Sequence, residues 1–165
     1  MYSLQPIDFL PYHFFVWCGH TAIGVWVKET TWIFPIIETI HLMCLSIVLG
    51  TTIMVDLRLL GLGLRRSPTS QVARELEPWM LGALSITVLT GAFLFMSESI
   101  RLAVSGPFFY KMMFFALALL VHFTIHWKAT ARSTSDRAWF GKVAACLSLL
   151  CWFGVALSGR AIAFL

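Results

Sequence analysis

The sequence predicts an all-α fold, a transmembrane four-helix bundle preceded by an interfacial amphipathic helix, and three observations predict it. Of 165 residues, 59% are hydrophobic and 12% charged, too few charges to cover a soluble domain of this size. Four apolar stretches each reach the roughly 20 residues that cross the hydrocarbon layer. Tryptophans 32, 79, 127 and 139 stand near the ends of these stretches, where amphipathic rings prefer the headgroup level. The partner implied is a lipid bilayer, in a single membrane domain covering residues 1–165.

The first segment, 13–28, contains Phe14, Phe15, Trp17, Val25 and Trp26 but also His13 and His20. It is short and polar for a crossing, so it reads as a helix lying in the interface in preference to a fifth span. Before it there is no basic region followed by a small-residue cleavage site, so the first apolar segment is expected to stay in the mature protein. The first span covers about 32–60. Gly61 and Gly63 close it, and Ser67-Pro68-Thr69-Ser70 reads as a polar loop. The other spans cover about 79–100, 107–127 and 139–162, with Pro78 and Pro107 at helix starts, where a missing amide proton is harmless. In the last span Ala144, Ala145, Ser148, Cys151, Val155 and Ser158 form a small-residue stripe. Such a stripe admits a close neighbour, within the same bundle or from another subunit.

Orientation follows from the basic residues. Arg58, Arg65, Arg66, Arg74, Lys128, Arg132, Arg137 and Lys142 fall on one side, and Lys28, Arg101, Lys111 and Arg160 on the other. The richer side is expected to be cytoplasmic. Both termini then face outward, the periplasm for a bacterial inner membrane. The net charge of +4 comes without a basic run interleaved with polar aromatic surface, so no nucleic-acid partner is expected. Cys18, Cys44, Cys146 and Cys151 lie in apolar runs with no CxxC pair and read as small apolar residues. No nucleophile elbow, His-Glu-x-x-His or phosphate-binding glycine loop is present, which argues against a hydrolase.

Charges inside a membrane are costly and are usually paired or functional. Asp56 and Arg58 read as a local salt bridge or a snorkelling pair at the cytoplasmic end. Eighteen residues, five turns, place Asp56 on the same face of the first span as Glu38. Glu38, Glu98, Lys111 and Arg160 come from four helices and fall near one outer boundary, either as a latch or as a pocket for propionates, a quinone headgroup or an ion. His41, His122 and His126 lie within spans, and Lys111 and His122 share a line on the third. Neutral imidazoles on facing helices are good axial ligands for haem iron. His41 with His122 is the expected pair, with His20 and His126 as alternatives. Counted from Trp32 and Pro107 their depths differ, at about 14 and 22 Å, and counting the third span from Lys111 removes most of the difference.

Several runs carry a resemblance: Trp32-Ile33-Phe34-Pro35-Ile36-Ile37-Glu38-Thr39-Ile40-His41-Leu42, Asp56-Leu57-Arg58-Leu59-Leu60-Gly61, Thr90-Gly91-Ala92-Phe93-Leu94-Phe95, Pro107-Phe108-Phe109-Tyr110-Lys111-Met112 and Gly159-Arg160-Ala161-Ile162-Ala163-Phe164. With these the chain resembles, over nearly its whole length, a family of small bacterial membrane proteins known mainly as a domain of unknown function. The resemblance implies a four-helix bundle with Glu38, His41, Asp56, Arg58, Lys111 and Arg160 at the motif positions. Members often carry glycine shortly after the histidine, where Met43 and Cys44 stand here. More distantly the chain is similar to haem-bearing bundles of the cytochrome b type, a likeness of fold alone.

The leading functional expectation is a membrane redox subunit, binding haem b or facing a quinone and passing electrons to or from a periplasmic partner. Its ligands would be His41 and His122, with Lys111 and Arg160 on the propionates. The alternative is a structural or assembly subunit of a larger membrane complex with other membrane or periplasmic subunits. A small proton-coupled transporter using Glu38 and His41 is less favoured, because the chain shows no internal repeat or paired broken helices.

Overall fold

A computed structural model describes residues 12–62, 68–126 and 138–162. Gly63, Arg65, Arg66, Ser67, Trp127, Lys128, Arg132, Arg137, Ala163 and Phe164 lie outside the described residues. All regular structure among the described residues is helical: α1 (Tyr12–Gly19), α2 (Ala22–Glu29), α3 (Ile33–Leu60), α4 (Thr69–Ala103), α5 (Gly106–Val121), a π turn (His122–His126) and α6 (Ala138–Ile162). α3, α4, α5 with the start of the π turn, and α6 are each long and apolar enough to cross a membrane. Their apolar side chains are largely turned outward: Ile36, Ile40, Leu42 and Met43 on α3 and Leu150, Phe153 and Leu157 on α6 are all exposed. Lipid, not water, is the solvent for such faces. This is a multi-pass membrane protein.

Three local features differ from the sequence expectation. Segment 13–28, read as one helix, is two. Thr21 takes an extended conformation between them, accepts from the Gly24 N–H at 3.2 Å and donates to the Cys18 carbonyl at 2.7 Å. One threonine thus ends α1 and caps α2. The polar loop stops at Pro68, because Thr69 and Ser70 already belong to α4. Pro78 is therefore not at a helix start but at the tenth position of α4. The predicted span 79–100 lies inside this longer helix. At the end of α3 the expectation holds: Gly61 has φ of 81°, and the amides of Gly61 and Leu62 bond back to Arg58 and Leu57 at 3.1 and 2.9 Å. This is the double-bonded glycine stop that satisfies the last carbonyls.

The chain divides into two compact units, Met1–Leu45 with Ala83–Gly106, and Ser46–Gly82 with Pro107–Leu165. In the first, α1 and α2 are stapled to the last turns of α4. The Ser99 hydroxyl donates to the Phe15 carbonyl at 2.7 Å. Phe14 and Phe15 meet Phe95 with ring centroids 6.4 and 5.7 Å apart. A methyl group at Gly24 would lie 2.8 Å from the Met96 carbonyl oxygen, so glycine permits this backbone contact.

In the second unit α6 is the packing centre. Ala144, Ala145, Ser148, Cys151 and Val155 of the small-residue stripe are buried within the chain, as is Trp152, while Ser158 is half-buried. Trp152 meets Phe115 edge to face at 6.3 Å, and a methyl group at Gly154 would lie 2.7 Å from the Phe114 ring. α3 reaches α6 where the Leu59 side chain would sit 3.3 Å from a methyl at Gly141.

Candidate functional site

In the first unit the best-defined polar contact inside a span is made by His41. Its Nδ1 lies 3.0 Å from Thr90 Oγ1, joining α3 to α4 across 49 residues. A hydroxyl has one proton, and Thr90 directs it to the Ile86 carbonyl at 2.7 Å. With its proton so directed, the threonine oxygen is an acceptor for His41 Nδ1, and in the neutral ring this contact favours the tautomer whose lone pair is on Nε2. A methyl at the neighbouring Gly91 would lie 3.1 Å from His41 Cε1. Glycine there leaves the ring its place, and threonine favours that tautomer.

Gly91→Ala should accordingly push the ring and cost on the order of 1 kcal/mol. Gly50→Ala and Gly82→Ala meet nothing within 4 Å and should be neutral or gain up to about 1 kcal/mol from helix propensity. Unfolding in detergent compares the three.

The acids and bases expected at one boundary divide between the units. Glu98, in the first, lies 3.9 Å from Lys28 and 4.0 Å from Arg101, cations from α2 and from its own helix. Its φ of −117° and ψ of 16° depart from helical values, so α4 changes direction there. Glu38 belongs to the same unit and is exposed on α3. Lys111 and Arg160 belong to the second unit, where the Lys111 ammonium would lie 3.8 Å from a methyl at Gly159.

The histidines divide likewise. His41 and His20 are in the first unit, and His122 is in the second. His20 is exposed and follows Gly19, whose methyl position lies 2.8 Å from Ser99 Oγ. Ser99 is nine residues along α4 from Thr90, about 13 Å at helical rise. His122 opens the π turn, half-buried and edge to face with Phe123 at 5.2 Å. His126 closes the turn, and its side chain lies outside the described residues. Single π turns recur at functional sites.

Asp56 is fully buried in the second unit, with 0% of its surface exposed, which rules out the snorkelling half of the expectation and leaves the local salt bridge with Arg58 compatible with it. Five turns earlier on the same helix face Glu38 is exposed, so burial separates two carboxylates that periodicity alone aligns. Among the described residues no group of three or more His, Cys, Asp or Glu is placed to hold a metal ion. Iron at His41 would need most of its ligands from a macrocycle.

The sequence alone did not reveal Thr90 and Gly91 as the groups around His41, or Lys28 and Arg101 as the partners of Glu98. Comparison with known proteins adds one finding. A family described as "Family of unknown function (DUF6644)" matches over residues 14–165. No curated protein and no solved structure matches.

Proposed function

The chain belongs to this family of unknown function, and we propose that it is a membrane redox subunit whose electron-handling group meets Nε2 of His41. The observation that carries the reading is the His41–Thr90 contact. Ligating histidines characteristically donate their other ring N–H to a fixed acceptor, which sets the tautomer and aims the remaining nitrogen. His41 has that arrangement inside an apolar span. The Nε2 lone pair suits the iron of haem b, and it would equally accept the O–H of a quinol.

His20 and His41 sit at separate levels along α4, which disfavours both binding one iron. When bound, haem b would supply the one-electron step. The chain's own contribution is to orient the imidazole within an apolar span.

Protein purified in mild detergent should show a reduced-minus-oxidised haem spectrum that His41→Ala abolishes. Thr90→Val should keep the fold and weaken haem retention by about 10- to 100-fold, the usual effect of losing such an orienting partner. Substituting His122, His126 and His20 in turn would identify the other ligand. If no haem is present, a quinone extracted with the wild type and lost from His41→Ala would keep the redox reading. A colourless, quinone-free, folded preparation with its natural partners bound would sink it.

A further inference from the structure

Hydroxyls within the spans mostly bond to the carbonyl one turn back. Thr39 donates to Pro35 at 2.7 Å, Thr51 to Ile47 at 2.8 Å and Ser158 to Gly154 at 2.7 Å. Thr124 does the same to Leu120. Thr52 and Ser148 break this habit. Their hydroxyl oxygens are buried with no hydrogen-bond partner, and so is the indole Nε1 of Trp152. The three residues are 4%, 1% and 2% exposed. All three belong to the second unit, as does the fully buried Asp56.

Thr52 and Ser148 fall at one level, with Asp56 about one turn nearer the Leu59–Gly141 end and Trp152 about one turn beyond it. α3 and α6 touch at Leu59 and Gly141, near the last residues of one and the first of the other. Both cross the bilayer from that end, so they run antiparallel. Two helical turns from the contact lead to Thr52 on α3 and to Ser148 on α6, each on the face that made the contact. Asp56 lies one turn from Thr52 and Trp152 one turn from Ser148, on the buried faces of the two helices. Phe115 backs Trp152 from α5, and the π turn that opens with His122 packs against α6.

We propose that Thr52, Ser148 and Trp152 bind internal water beside Asp56, forming a hydrated proton-exchange point within the membrane interior. A buried indole N–H can only donate, and a dry hydrocarbon interior offers it nothing to donate to. A cation would be repelled by that N–H. A short chain of waters accepts from the indole at one end, exchanges hydrogen bonds with both hydroxyls and donates to the carboxylate at the other. Orphaned polar atoms of this kind normally mark such a bound water. This site is independent of the reading at His41.

Thr52→Val and Ser148→Ala each delete one polar atom with little change of shape. With water bound, each should lower Tm, by about 2–4 °C for a chain of this size. Thr52→Val and Ser148→Ala together should lower it by less than the sum, because they share the water. If the site is dry, each substitution removes an unsatisfied group, and Tm should hold or rise. Infrared spectra of wild type should also show an internal-water O–H band that shifts in heavy-oxygen water and disappears in the double variant. This measurement stands even if one variant fails to fold. An unshifted spectrum, or variants as stable as wild type, would overturn the proposal.

Discussion

Trp152→Ala is expected to destabilise the second unit by about 3 kcal/mol, the largest loss from any single truncation there. The reason lies in what lipid leaves of the packing energy. In a water-soluble core, truncating a tryptophan loses both its transfer energy and the dispersion contacts around the hole, together about 3–5 kcal/mol. Separated helices in a bilayer are already in an apolar solvent, so most of the transfer part falls away and the cavity part stays. Trp152 is only 2% exposed, with Phe115 on one side and Ala144, Ala145, Val155 and Cys151 buried on the same helix. None of these small neighbours can fill the space. Leu150 and Phe153, exposed on the other side of α6, should lose under 1 kcal/mol on truncation. Equilibrium unfolding in mixed micelles compares them, and a Trp152→Ala loss no larger than that of Phe153→Ala would show that α6 is not the packing centre.

That contrast marks what hydropathy could and could not convey. Runs of apolar residues reveal that α3, α4, α5 and α6 cross, because the requirement is length and composition. They say little about which side of each helix is inward, because the lipid-facing side is equally apolar. Trp152 and Phe153 therefore look alike in sequence and differ thirtyfold in exposure, 2% against 63%. Asp56 illustrates the same blindness for a charge: beside Arg58 and near a span end it reads as a local salt bridge or a snorkelling group, and only packing reveals its burial. α4 begins ten residues before its apolar stretch because Gln71, Arg74, Glu75 and Glu77 are compatible with helix while unsuited to lipid. Gln71 and Glu75 even hydrogen-bond one turn apart at 2.9 Å. Gly61 was legible because its left-handed φ depends on neighbours in sequence alone. The tautomer of His41 was not, since Thr90 stands 49 residues away.

Gly24→Val is expected to detach the α1–α2 hairpin from α4, with a loss of about 2–3 kcal/mol in that unit. A methyl at Gly24 would lie 2.8 Å from the Met96 carbonyl oxygen and 3.1 Å from that of Cys18. Both obstacles are backbone, so no side-chain rotation relieves the clash, and a branched side chain adds two further groups. Gly19 presents a gentler case. Its methyl would meet the Ser99 hydroxyl at 2.8 Å, which can swing aside at the expense of its bond to Phe15. Cys18 reports the outcome. It is buried at 3% exposure in the hairpin, and burial pushes its thiol up from the ordinary cysteine value, so both access and thiolate fraction are low. With Cys44, Cys146 and Cys151 replaced by alanine, a water-soluble maleimide should modify Cys18 slowly in wild type and at least about tenfold faster in Gly24→Val, since exposure and ionisation rise together. The intact α3–α6 spans should keep the variant folded, visible as unchanged helical content. Equal labelling rates in the two proteins would mean that the Gly24–Met96 contact does not hold the hairpin down.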